Sequence, residues 1–214
     1  YISAADDTVF PANCSYMFNG FTILEDVRLN NVDTSNVTNM TRMFQNCYEV
    51  DMIDHDFEID EWDTSNVTYM TGVFQNCKNL KYGSWVGEWD TSNVTNMYCM
   101  FRGCSGMLGY ENYRWDTSNV TNMSYMFSDC TSLSSIHIEN WNTDKVTSVR
   151  NMFSGCTALE ALQLGTDGTS SSVYESAWHV SSGANYANMF NDCTSLQKLY
   201  IYNFQISDST SAAD

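Results

Sequence analysis

The stretch WDTSNVTNMSYMFSDC, residues 115–130, has three near-copies in the chain. They are VDTSNVTNMTRMFQNC from Val32, WDTSNVTYMTGVFQNC from Trp62 and WDTSNVTNMYCMFRGC from Trp89. Aligning on the Phe that closes each Met-Phe pair gives Phe18, Phe44, Phe74 (after Val73), Phe101, Phe127, Phe153 and Phe190, separated by steps of 26, 30, 27, 26, 26 and 37 residues. A base period of 26 with insertions near 51–61 and 165–175 predicts a stack of about seven units in one body, because repeats of this length cannot bury a core alone.

Each column of the alignment is apolar almost throughout. Three residues past the Phe stand Phe21, Cys47, Cys77, Cys104, Cys130, Cys156 and Cys193; six past it stand Leu24, Val50, Leu80, Met107, Leu133, Leu159 and Leu196. Ahead of the polar turn come Val32, Trp62, Trp89, Trp115, Trp141, Trp178 and Phe204. These columns are expected to point inward. Ile136 and Ile138, two apart, read as a half-buried strand. Val120, Met123, Met126 and Phe127 read as one face of a short helical segment. Asp116 to Asn119 between them are residue types that cap a helix N-terminus.

The string Met-Phe-x-x-Cys-x-x-Leu, a strand, then Trp-Asp-Thr-Ser-Asn-Val-Thr-Asn-Met closely resembles the BspA-like class of leucine-rich repeats, over roughly residues 10–206. Such repeats occur in bacterial surface proteins and lipoproteins and in surface proteins of some protists. The resemblance implies an α/β repeat solenoid, a right-handed coil with short parallel strands on one face and short helical or 3-10 segments on the other. It also implies an extracellular or cell-surface role in adhesion or recognition. The first and sixth units depart from the pattern: Phe21 replaces Cys, and Gly183 stands where Val is expected.

Net charge is −17, from 26 acidic and 9 basic residues. That sign disfavours nucleic acid and anionic membrane as partners. No run of about 18 apolar residues is present to span a bilayer. The chain starts at Tyr1 without a Met, which reads as a processed or excised portion of something longer. Residues 207–214 read as a polar linker or tail, leaving 1–206 as a single solenoid.

Six cysteines, Cys47, Cys77, Cys104, Cys130, Cys156 and Cys193, share an inward column about one coil apart. Small buried apolar filling is expected of them, with neighbouring disulfides geometrically open. Cys14 and Cys99 fall elsewhere, Cys99 in a variable column read as outward, so these two are the candidates for bonded or reactive thiols. No Cys-x-x-Cys pair stands at zinc-ligand spacing.

Asp33, Asp63, Asp90 and Asp116 form a ladder read as capping groups, with Ca²⁺ as the alternative. Two Thr columns (Thr34, Thr64, Thr91, Thr117, Thr143 and Thr38, Thr68, Thr95, Thr121, Thr147) raise an ice-binding face, by resemblance to flat Thr arrays. Asn13, Asn36, Asn39, Asn66, Asn93, Asn119 and Asn122 precede x-Ser or x-Thr and are candidate glycosylation sites. His55, His137 and His179 are scattered, with no nucleophile or carboxylate at an evident shared site, so an enzyme is not expected. The acidic segment 51–62 reads as a solvated bulge.

Recognition is expected on the strand face, at Lys81, Tyr110, Asn112, Ser135, His137, Lys198 and Tyr200. The expected partner is a protein or glycan surface ligand, and a basic one suits the charge. The alternatives are end-to-end self-association into a filament or surface layer, and ice binding.

Overall fold

The computed structural model describes all residues except 1, 6, 25–26, 30–31, 51–58, 83, 112–113, 167–177, 182, 203–204 and 208–214. Successive segments lie side by side as coils, joined by short parallel strand pairs. Ile2–Ser3 (β1) pairs with Val27–Arg28 (β3), and Thr8–Val9 (β2) with Val32–Asp33 (β4). Gly109–Glu111 (β5) pairs with Ser135–His137 (β6), and Ala161–Leu164 (β7) with Lys198–Ile201 (β9). His179–Ser181 (β8) pairs with Gln205–Ser207 (β10). All five pairings are parallel, as a chain that returns to the same face after each coil requires.

The helical segments expected at residues 119–127 and their equivalents do not form. Among the described residues the one helix is a 3-10 turn at Ser84–Glu88. The reason is a left-handed residue every fourth position. Tyr125 and Asp129 have φ of 59° and 63°, and the same pair recurs at Arg42 and Asn46, Gly72 and Asn76, Cys99 and Gly103, and Asn151 and Gly155. Such residues cannot lie inside an α-helix. The segment becomes a stack of overlapping turns, with Met126, Ser128 and Cys130 donating N–H three residues back to Met123, Tyr125 and Phe127.

The alternate N–H groups leave the segment altogether. Those of Met123, Tyr125, Phe127 and Asp129 donate to the carbonyls of Ser148, Arg150, Met152 and Ser154 on the next coil, at 2.7–2.9 Å. Four such bonds recur at each of the six junctions from Cys14–Asn39 to Gly155–Asn191. Half of the turn's backbone therefore closes locally and half ties coil to coil.

Packing follows the columns. Phe18, Phe44, Phe74, Phe101, Phe127, Phe153 and Phe190 form a continuous ring stack with centroids 5.2–5.9 Å apart. Trp62 and Trp89 stack at 6.4 Å, Trp115 and Trp141 at 6.2 Å. Stacked rings add specific geometry to the area they bury.

Polar side chains add rungs between the same coils. The indole N–H groups of Trp62, Trp89 and Trp115 donate to the carbonyls of Leu29, Ile59 and Val86. The column Thr34, Thr64, Thr91, Thr117 and Thr143 is buried, and Thr64, Thr91 and Thr117 donate to the carbonyls of Asp90, Asp116 and Asn142. That burial overturns this column as an ice-binding surface: its hydroxyls are withdrawn from solvent, and those of Thr64, Thr91 and Thr117 bind protein instead. In the second column Thr68, Thr95, Thr121 and Thr147 each donate a hydroxyl to the Thr carbonyl one coil earlier.

Candidate recognition face

The outer strand face is set by register. Gly109 aligns with Ser135 and Glu111 with His137; Ala161 aligns with Lys198 and Gln163 with Tyr200. The residues between, Tyr110, Ile136 and Leu162, are buried, as alternation along a strand demands. Tyr110 was expected on the outer face and is instead fully buried. Its ring packs edge-on against Trp115, Phe127 and Trp141. Its register partner is the inward Ile136, 26 residues on, and that offset from an acknowledged core position was the available signal. Asn112 lies outside the described residues.

The other expected positions lie as follows. Ser135, Lys198 and Tyr200 are exposed, His137 and Lys81 half-buried. Ser135, His137 and Tyr200 line one shallow depression of about 380 Å³, together with Glu139, Glu160 and Gln163. A second, of about 450 Å³, shares Ser134 and Ser135 and extends to Tyr82, Leu108 and Glu111. The two make one trench across the face. Its floor is small, being Gly109, Ser135 and Ala161, and two half-exposed tyrosines, Tyr82 and Tyr200, stand at opposite ends. Three carboxylates, Glu111, Glu139 and Glu160, line it, and His137 Nδ1 lies 3.6 Å from Glu139 Oε1. Sequence reasoning missed Tyr82, Glu111, Glu139, Glu160 and Gln163. Glu111 and Gln163 were reachable by stepping 26 residues either way from His137.

The thiols are all free, and all but Cys193 are buried. In the shared column each Sγ donates to the carbonyl of the preceding coil's stacked Phe. Cys47 reaches Phe18, Cys77 Phe44, Cys104 Phe74, Cys130 Phe101, Cys156 Phe127 and Cys193 Phe153, at 3.0–3.2 Å. Cys99 is not outward: it is 2% exposed, in a left-handed conformation beside Tyr98 and Arg102. Cys14 is also buried, its thiol donating to the Pro11 carbonyl. Burial pushes Cys14 up to about 11 and raises Cys99, so neither is poised as a thiolate.

The Asp ladder is exposed and serves its own turns. One carboxylate oxygen of Asp33, Asp63, Asp90 and Asp116 accepts the N–H two residues on, from Ser35, Ser65, Ser92 and Ser118. The Ser35 and Ser65 hydroxyls add a second bond each, which with the N–H holds Asp33 and Asp63 below the usual carboxylate range. These are Asx turns rather than helix caps. Among the described residues no three His, Cys, Asp or Glu side chains gather as a metal site.

The sequon asparagines divide by structure. Asn66, Asn93 and Asn119 donate Nδ2 to the carbonyls of Ser35, Ser65 and Ser92 on the preceding coil. Asn13, Asn39 and Asn122 instead accept an N–H two residues on through Oδ1. Asn36 is exposed. His55 lies outside the described residues, and among these no helix is long and apolar enough to cross a membrane.

Coils joined by short parallel strands, with one outward face carrying a trench, define a repeat solenoid. The chain belongs to the family described as "Mycoplasma protein of unknown function, DUF285", whose model matches residues 12–108, 52–162 and 169–214. Similar solved structures include a leucine-rich repeat protein from Bacteroides ovatus, at 16% identity and TM-score 0.39, covering 92% of this chain and 61% of that one. Another, from Eubacterium ventriosum, has 20% identity and TM-score 0.45, covering 100% of this chain and 47% of that one. A leucine-rich cell surface protein from Faecalibacterium prausnitzii has 13% identity and TM-score 0.34, covering 88% and 68%. The chain thus spans about half to two thirds of the length of these proteins. No curated protein matches it.

Proposed function

We infer that this chain is a non-catalytic recognition module displayed outside the cell, which captures a protein partner along the outer face of its strands. The reading takes residues 1–206 as one right-handed solenoid of about seven repeats, the hand that parallel crossovers almost always adopt. The observation that carries it is the trench between Tyr82 and Tyr200, open, shallow and small-floored, as an extended segment rather than an enclosed metabolite would need. Its three carboxylates within a chain of net charge −17 favour a cationic segment, and tyrosine faces at both ends suit Lys or Arg.

The test is fluorescence anisotropy with a labelled, extended Lys/Arg-rich peptide against an acidic peptide of equal length. Binding of the basic peptide should weaken at high salt and on Tyr200→Ala, and should be blocked by Ser135→Trp, which fills the floor. Equal binding of both peptides, or indifference to both substitutions, rejects the trench as the site.

A further inference from the structure

The trench has two chemically different halves, and Gly109 makes the first of them. Gly109 does not lie in the left-handed region, so its backbone does not require a glycine. What it supplies is space: a Cβ there would lie 3.1 Å from Ser135 Oγ and 3.9 Å from Tyr82 Cδ1. The opening is walled by the exposed apolar surfaces of Tyr82 and Leu108, and it suits an apolar side chain. The second half, at Ala161, has Glu139, Glu160 and Gln163 on its sides and suits a cation. There Gln163 Nε2 donates to the Gly165 carbonyl, which commits its donor and leaves Oε1 as an acceptor. Tyr200 stands beside them, its ring parallel to that of Tyr202 at 6.2 Å.

Spacing decides what can occupy both halves at once. Gly109 and Ala161 lie two coils apart in one row, with Ser135 between them. At the usual distance between neighbouring strands that is about 9.6 Å. A ligand along this row crosses the strands instead of joining them. The backbone beneath is already bonded coil to coil, as from Leu108 N–H to the Lys81 carbonyl and from Ser134 N–H to the Leu108 carbonyl, so it offers no ladder. A β-extended ligand would therefore gain no main-chain partner, and its same-side residues recur about every 6.7 Å, which matches neither one coil step nor two. A polyproline II helix repeats every three residues, about 9.3 Å, and keeps its own backbone in solvent. Its side chains at i and i+3 fall on the two halves in turn.

We propose that the trench binds a polyproline II segment in which an apolar residue and a Lys or Arg stand three residues apart. The apolar side chain fills the opening at Gly109 against Tyr82 and Leu108, and the cation lies beside Glu139 and Glu160. Proline suits both the conformation and the site, since its ring packs on tyrosine and it has no N–H to leave unpaired. This rests on the reading of the trench as a site for a cationic segment and adds a conformation and a register to it.

Fluorescence anisotropy with three labelled peptides of equal length and charge tests this. The first repeats Leu-Pro-Pro-Arg-Pro-Pro, the second has the same composition in the order Leu-Pro-Arg-Pro-Pro-Pro, and the third is the flexible Leu-Gly-Ser-Arg-Gly-Ser. The first should bind about ten-fold tighter than either of the others, because it is both pre-organised and in register. Gly109→Leu, which fills the opening, or Tyr82→Ala should bring the first peptide to the level of the third. Glu160→Gln should weaken all three, and indifference to it counts against a cation at that end. Equal binding of the first and second peptides, or of the first and third, overturns the proposal and leaves the cationic-segment reading standing. Failure of all three to bind removes both.

Discussion

The thiol of Cys104 donates to the carbonyl of Phe74, 3.1 Å away and 30 residues earlier. That carbonyl also accepts the Cys77 N–H, so the thiol takes up its second lone pair. The cysteine is both a filler of a narrow slot and a rung between coils. Cys104→Ala should lose about 1–3 kcal/mol in urea unfolding, from the cavity and the lost bond together. Cys104→Ser, which keeps a donor, should be more stable than the alanine variant. The opposite order would reduce the thiol to packing alone.

Alkali should loosen the fold through the same groups. Burial raises Cys14 and Cys47 from the ordinary 9.0 to about 11. A thiol raised on folding contributes stability that is complete below the unfolded value and is lost as pH climbs from 9 toward 11. The urea midpoint should fall across that window, and a Cys14→Ser, Cys47→Ser double variant should fall less steeply. In the native chain at pH 8, a thiol reagent should reach half-buried Cys193 first and Cys77, Cys104 and Cys130 only as the chain unfolds.

Two tyrosines of the same strand region should respond in opposite ways. Tyr110→Ala removes a fully buried ring and should cost about 3–5 kcal/mol of stability. Tyr200→Ala, at 43% exposure, should leave thermal stability within about 0.5 kcal/mol while weakening capture of a basic peptide. Matching losses of stability in the two variants would contradict the register assigned to the face.

Asn93 connects two turns through a 2.7 Å bond from Nδ2 to the Ser65 carbonyl. Asn93→Ala should cost about 1 kcal/mol, and Asn93→Asp more, since a carboxylate then faces a carbonyl. Chemical denaturation of both variants at pH 7 checks the order. An aspartate as stable as asparagine would mean that the rung carries no weight.

Gly103 holds φ of 74°, and a Cβ there would lie 2.3 Å from Asn76 Oδ1. Gly103→Ala should lose about 1–3 kcal/mol through the strained conformation and the contact. Gly103→Asn should lose less. Asn46 and Asn76 already adopt this conformation on adjacent coils, with Asn76 Nδ2 donating a 2.8 Å hydrogen bond to Asn46 Oδ1. Thermal unfolding of the pair decides it.

Much of the architecture was legible in the period of 26, because columns such as Trp115–Trp141 and Cys104–Cys130 repeat and burial follows the column. Local form was less so. Val120, Met123, Met126 and Phe127 have helical spacing, but the spacing of inward residues in a stack of turns is the same. The distinguishing mark was present: the residue before each column cysteine is Asn46, Asn76, Gly103, Asp129, Gly155 or Asp192, the types that tolerate left-handed backbone. The burial of Cys99 could not be read that way, since its column otherwise holds residues as different as Arg42, Gly72 and Tyr125. Nor could the thiol–carbonyl rungs, because they depend on the distance between coils, which no single repeat encodes.

The forward-directed N–H groups of the turn stack give the molecule an electrical axis. Each peptide unit carries a dipole of about 3.5 D, and at each of the six junctions of the turn stack the four forward bonds outnumber the one or two that run back, such as Thr95 N–H to the Thr68 carbonyl. Their positive ends face the coil of Phe190 and their negative ends the coil of Phe18, the reverse of an α-helix, whose N-terminus is the positive end. Each added coil lengthens this axis, so a longer array is a stronger dipole with the same two chemically distinct poles. In an external electric field such a molecule should orient along its stacking direction, and transient birefringence should report an alignment that grows with the number of coils.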